Sequence, residues 1–203
     1  MKQFILAFAV FFSFQLHAQV RIAVKGGFNY STAKASYGGI KQSHEFVPGG
    51  NLGLQIIREF DGPLYFSPYI TYSSRGFIVT IKDTISKNII HYIDIAAVLS
   101  FHIPAGANSL VLAAGPTLGV AFMGTEKRTV EGITTSSKMK FSIDGNYSYF
   151  DPGLHTSIGY HFKKIFIEAA YQLGLSNINN NGEFDRRDLR NRTFSLNLGY
   201  YLR

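Results

Sequence analysis

Large apolar side chains recur at every second position along much of this chain. From Phe194 to Leu202, the residues Phe194, Leu196, Leu198, Tyr200 and Leu202 alternate with Ser195, Asn197, Gly199 and Tyr201. Leu154 to Phe162 repeats the pattern, and so does Leu110 to Phe122, with Leu110, Leu112, Leu118, Val120 and Phe122 on one parity. Between Ile89 and Ile103 the odd positions are apolar except His91, while the even ones include Asp94, Ser100 and His102. An amphipathic helix would bring apolar residues back every three to four positions, so a period of two predicts strands.

The pattern predicts eight strands: Val20–Tyr30, Gly50–Phe60, Leu64–Phe77, Asn88–Ile103, Ser109–Phe122, Ser148–Phe162, Lys164–Leu175 and Arg192–Arg203. Connections alternate in length. Asp61-Gly62-Pro63, Pro104 to Asn108 and Phe162-Lys163-Lys164 carry residues suited to tight turns. Segments 31–49, 78–87, 123–147 and 176–191 are longer and polar, and they predict loops. Short turns on one side and long loops on the other are the habit of outer-membrane barrels. An even strand number then puts both ends of the domain on the short-turn side. About eleven residues at ~3.3 Å, tilted ~40°, span roughly 28 Å, close to the apolar band of such barrels. Aromatics gather toward strand ends, with Phe28, Tyr30, Tyr72, Phe77, Phe122, Phe150 and Phe194 on the loop side. Phe60, Phe66, Phe101, Phe162 and Tyr200 fall on the turn side.

Which face looks inward decides between two classes. A soluble lipocalin-like carrier points its apolar face in, and a membrane barrel points it out to lipid. Here the large face holds Leu, Ile, Phe and Tyr with almost no charge, and the other holds many glycines and most strand charges. The interior of an eight-stranded barrel is just wide enough for side chains, so the small face belongs inside. The fold class expected is therefore all-β, an eight-stranded antiparallel up-and-down transmembrane barrel with four longer outer loops. Its inward charges are Arg21, Lys25 and Arg75 against Glu59, Asp94, Asp151 and Glu168, a near-balance that suits a plugged polar lumen. In Lys163 to Asn177, Ile165, Ile167, Tyr171, Leu173 and Leu175 form the outer face. That register turns Glu168 inward to a basic partner such as Arg21, Lys25 or Arg75.

The first residues bear on location. One lysine, an apolar run from Phe4 to Phe14 and Leu16-His17-Ala18 predict a cleaved signal peptide over 1–18, leaving one barrel domain over 19–203. There is no cysteine, which removes disulfides, lipid attachment at a cysteine and cysteine-based chemistry. The formal charge of +7 is scattered, as in Glu126-Lys127-Arg128, and forms no stripe for nucleic acid. Such an excess suits attraction to anionic lipid head groups.

Several segments resemble the PorT-like outer-membrane β-barrel proteins of Bacteroidetes. Tyr92-Ile93-Asp94-Ile95-Ala96-Ala97-Val98-Leu99 is similar to their YLEIPLLL-type strand, with Asp94 for the usual Glu and Ala96 for the usual Pro. Ser100 also stands where a Lys is common. Val24 to Ser31 resembles their first strand and Ser67 to Gly76 their third. Tyr171 to Ile178 and Asn191 to Leu202 resemble their last two. The resemblance implies outer-membrane location and, through founding members, partners in secretion or gliding machinery; it implies no single activity and no cofactor.

Two chemical readings stand beside the scaffold. His155-Thr156-Ser157 with Glu168 resembles the His-x-Ser plus Glu of lipid A deacylases, in which a histidine activates a serine and a carboxylate orients the histidine. The inward register places these residues in the lumen, away from the outer leaflet. The second is the segment Asn177 to Asn191, whose Asn179-Asn180-Asn181-Gly182-Glu183 and Asp185 are similar to acidic calcium loops but lack their alternating ligands. A solvated loop is expected there. His155 is assigned to the lumen network, and His91 to the lipid-facing parity near the loop side.

Overall fold

The computed structural model describes residues 20–37, 40–41, 44–81, 84–142, 147–180 and 188–202. The expected signal segment 1–18 lies outside the described residues, as do Glu183 and Asp185 of the calcium-like segment. Every named element is a strand: β1 (Val20–Tyr37), β2 (Ile40–Lys41), β3 (His44–Asp61), β4 (Leu64–Phe66), β5 (Tyr69–Ile81) and β6 (Thr84–Ala96). The second half holds β7 (Leu99–Ala105), β8 (Asn108–Val130), β9 (Ile133–Lys138), β10 (Phe150–His161), β11 (Ile165–Gly174) and β12 (Asp188–Tyr201). The fold is all-β with antiparallel, up-and-down strands.

The described residues form twelve strands where the alternation predicts eight. Part of the difference lies at Pro68, which has no N–H to donate and interrupts the ladder between β4 and β5. The opposing strand is interrupted at Ala97-Val98, between β6 and β7. The register runs straight across both breaks, with Phe66 opposite Leu99 below and Tyr69 opposite Ala96 above. Ser67 N donates to Val98 O at 2.7 Å within the interruption. The pairings follow the order β12, β11, β10, β8, β6, β5, β3, and β1 pairs with both β3 and β12. The sheet thereby returns on itself.

The other difference lies on the loop side. Much of the four segments expected as loops is paired strand: β1 and β8 run on to Tyr37 and Val130, and β3 starts at His44. Thr125–Val130 pairs with β9 around a two-residue turn in which Glu131 (φ 48°) and Gly132 (φ 82°) both have positive φ. That geometry matches the twist of a hairpin. Hairpins standing in water can be polar on both faces, so alternation disappears while Thr and Val still favour strands. The tight turns carry Gly62 (φ 54°) and Gly106 (φ 66°).

The faces separate cleanly. Leu52, Leu54, Ile70, Ile95, Leu112 and Leu196 are among the large apolar residues left exposed on the outside. Lys25, Arg75, Asp94, Asp151, His155 and Glu168 are buried within. One expected belt aromatic is corrected: Phe77 is buried, because it shares the inward parity of Ser73 and Arg75 on β5. A bulge explains a local change of parity on β8. His91 pairs with Met123 and Tyr92 with Ala121, so Phe122 is the extra residue, and Phe122 and Met123 are both exposed.

Candidate functional site

The interior is layered. On the turn side, Ala23, Ile57, Phe166 and Tyr201 pack into an apolar floor with Tyr65 against it. The loop side is closed by a larger apolar cluster that includes Phe77, Ile90, Tyr92, Met139, Ile178 and Leu189. Ile178 belongs to the segment expected as a solvated loop, yet it is buried there: Asn177 Oδ1 accepts from Asn179 N at 3.0 Å and Leu189 N at 2.8 Å, folding the chain inward.

Between floor and ceiling lie the charges. β11 sits between β10 and β12 and sets Glu168 beside Asn197. Lys25 Nζ reaches Glu168 Oε1 at 3.4 Å from β1, and Asn197 Nδ2 donates to the same oxygen at 3.0 Å. Ser157 Oγ donates to Oε2 at 3.2 Å. Lys25 also lies 3.9 Å from the centre of the Tyr69 ring. A belt of amides follows, in which Asn51 Nδ2 donates to Asn29 Oδ1 at 2.7 Å and to Asn197 Oδ1 at 2.9 Å. Above it, Arg75 on β5 bonds Asp94 on β6 and, at 3.3 Å, Asp151 on β10. Gln172 accepts from Arg75 at 3.0 Å, and Asn191 Nδ2 donates to Asp151 Oδ2 at 2.8 Å. Burying an ion costs several kcal/mol, and opposite charge plus further hydrogen bonds are what offset it. A cavity of about 30 Å³ lies among these groups, enough to hold water.

Two expected members of this network are placed elsewhere. Arg21 meets no carboxylate among the described residues; its guanidinium lies over Tyr201 at 5.1 Å and Tyr65 at 5.7 Å, at the floor. Glu59 is exposed at the turn-side rim, next to a register shift between Glu59 and Asp61. The floor beneath the polar layers is apolar and offers Glu59 no layer to join. Lys25, Arg75, Asp94, Asp151 and Glu168 do come together in ion pairs. Sequence reasoning missed Asn29, Asn51, Tyr92 and Asn191, although their parity marks them as inward.

The hydrolase arrangement is not assembled. Ser157 bonds Glu168 directly, and His155 Nδ1 meets Tyr69 OH at 3.1 Å instead of serving Ser157. Proton transfer by histidine requires a hydrogen bond to the nucleophile. His91 sits on the outward parity and meets Tyr72 OH at 2.7 Å.

An antiparallel sheet closed on itself, apolar outside and packed with polar groups inside, defines the outer-membrane barrel class. The family model described as "Outer membrane protein beta-barrel domain" matches residues 13–180, and the chain belongs to that family. Similar solved structures include Ail, the attachment invasion locus protein of Yersinia pestis, solved in complex with the heparin analogue sucrose octasulfate. It is 19% identical, with 91% of this chain and 99% of that one covered and a TM-score of 0.45. OprG from Pseudomonas aeruginosa is 13% identical over 92% and 97% of the two chains, with a TM-score of 0.47. Neisserial surface protein A is 12% identical over 88% and 96%, with a TM-score of 0.45. A comparison with curated protein sequences finds no match.

Proposed function

We propose that this chain forms an eight-walled transmembrane barrel in the outer membrane, plugged by its own side chains, and serves the envelope as a non-enzymatic structural and interaction protein. The observation that carries the reading is the closed circuit through β1, with apolar residues exposed outside it and buried ion pairs inside. Joining β4 to β5 and β6 to β7 across their in-register breaks, and setting aside the rim strands β2 and β9, gives the eight walls. The packed apolar clusters above and below the ion pairs close the lumen to solute flow.

Interaction then belongs to the rims. β8 is 23 residues long, which at ~3.3 Å per residue and ~40° tilt reaches roughly 58 Å, about twice the height of the apolar band. The strand extensions on the loop side form a platform outside the lipid. Its partners in this reading are outer-membrane lipid and other envelope proteins, including secretion machinery of the kind the PorT-like resemblance implies.

Fractionation tests this. The protein is expected in the outer membrane, with a gel mobility that shifts on heating and with no steady conductance in planar bilayers. Recovery from the soluble periplasmic fraction without a heat shift would overturn the reading in favour of a soluble carrier. Co-purification from outer membranes with a tagged chain would name the envelope partner.

A further inference from the structure

The outward face of β1 and β12 changes character abruptly at the loop-side end of the apolar band. Phe194 pairs with Tyr30 and Leu196 with Phe28, all four exposed. Two residues further along the same face Arg192 stands opposite Thr32, and two further again Arg190 stands opposite Lys34. Like charges directly opposite each other across a ladder are destabilising, and Lys34 has no carboxylate partner among the described residues. Arg190 is answered on the exposed rim by Asp188, whose Oδ1 accepts from its Nε at 3.1 Å and whose Oδ2 lies 3.1 Å from its Nη2. The Arg192–Thr32 pair adds a second anomaly, because Arg192 Nε and Thr32 Oγ1 are both buried without a hydrogen-bond partner. Beneath this cluster lies a cavity of about 720 Å³ on the outer surface, walled by Phe28, Tyr30, Ile158, Tyr171, Phe194 and Leu196.

We infer that this is a binding site for a phosphate-bearing membrane lipid, with the phosphate held by Lys34, Arg190, Arg192 and Thr32 and an acyl chain lying in the groove below. An anion beside Lys34 supplies the countercharge that Asp188, held by Arg190, does not give it. Its oxygens accept from Arg192 Nε and Thr32 Oγ, the two donors otherwise left unmet, and charge-assisted bonds of this kind are the strong ones. The groove lies in register below the cations, so one molecule with an anionic head and an apolar tail reaches both. A free phosphate would use only the upper half. The inference rests on the membrane reading, because only then does the groove face acyl chains.

The test uses the full chain folded in detergent micelles and exposed to diphosphoryl lipid A, to the same lipid enzymatically dephosphorylated, and to inorganic phosphate, with bound lipid counted by native mass spectrometry. The phosphorylated lipid is expected to be retained at least tenfold more than the dephosphorylated one, and millimolar inorganic phosphate is expected not to displace it. The triple variant Lys34→Gln/Arg190→Gln/Arg192→Gln is expected to lose that preference while keeping its heat-shifted mobility. Thr32→Val keeps every charge and is expected to weaken retention severalfold. Equal retention of the two lipids, or displacement by inorganic phosphate, would overturn the inference. A wild-type chain that shows no heat shift would instead overturn the membrane reading on which it stands.

Discussion

Lys25 and Glu168, separated by 143 residues in sequence, meet at 3.4 Å inside the closed sheet. A glutamate in the middle of an otherwise apolar strand is thus answered by one cation, one amide and one hydroxyl. Removing one partner of a buried pair leaves an uncompensated charge, so Lys25→Met is expected to cost ~3–5 kcal/mol. The double variant Lys25→Met/Glu168→Gln is expected to recover most of that loss. Urea midpoints of protein folded in lipid vesicles measure both, and equal losses in single and double variants would deny the coupling.

Arg75 answers two carboxylates at once. Arg75→Leu is therefore expected to be more destabilising than Asp94→Asn, by at least ~1 kcal/mol, since it strands two anions where the other strands none. Thermal unfolding in micelles ranks the two variants, and the reverse order would contradict the assignment of Arg75 as the shared cation.

Gly199 makes room for the floor. A Cβ placed there would lie 2.0 Å from Cζ of Phe166, closer than any packed contact. Gly199→Ala is expected to reduce the folded, heat-shifted fraction sharply, and Gly199→Ala/Phe166→Leu is expected to regain part of it. No recovery in the double variant would place the constraint in the backbone rather than in the ring.

His155 and Ser157 are held apart by their separate partners, Tyr69 and Glu168. His155→Ala is expected to leave lipid A acylation unchanged when mass spectra of extracts are compared with those of a deletion strain carrying the wild-type chain. Loss of a deacylated species in the variant would establish the hydrolase instead.

The outward face of β12 predicts a depth profile. Leu198→Arg, near mid-height, is expected to cost ~2–4 kcal/mol in vesicles, and Phe194→Arg, nearer the rim, ~0–1 kcal/mol. Similar small costs at both sites would argue that this face meets water.

Much of this arrangement was legible from period two alone, because each wall alternates a lipid parity with an interior parity. Glu168, Asp94 and Asp151 were assignable to the inside for that reason. Which cation answers which anion was not legible, since it depends on stagger between strands far apart in sequence. Phe77 was a readable miss, sharing the parity of Arg75 but grouped with the belt because it is aromatic. The inversion at Phe122 has no sequence mark, because a bulge shows only against its partner strand. Glu59 keeps the inward parity of Ile57 but lies past the last polar layer. Parity states the side on which a residue lies, and depth decides what it meets there. The outer hairpin of β8 and β9 was hidden for a different reason: Ile133 to Lys138 is exposed on both faces, so it carries no alternation to read.

β12 turns its even positions from Phe194 to Leu202 outward and buries Asn197 and Tyr201 inside. The chain has no cysteine, so single cysteines introduced from Ser195 to Leu202, Gly199 excepted because it has no room for a side chain, can be spin-labelled one at a time in reconstituted bilayers. Collision with oxygen is expected to be high at Leu196, Leu198, Tyr200 and Leu202, and low at Ser195, Asn197 and Tyr201. Collision with a water-soluble nickel chelate is expected to be low throughout the middle of the strand. Nickel accessibility at the even positions, or an oxygen profile without a period of two, would contradict the account.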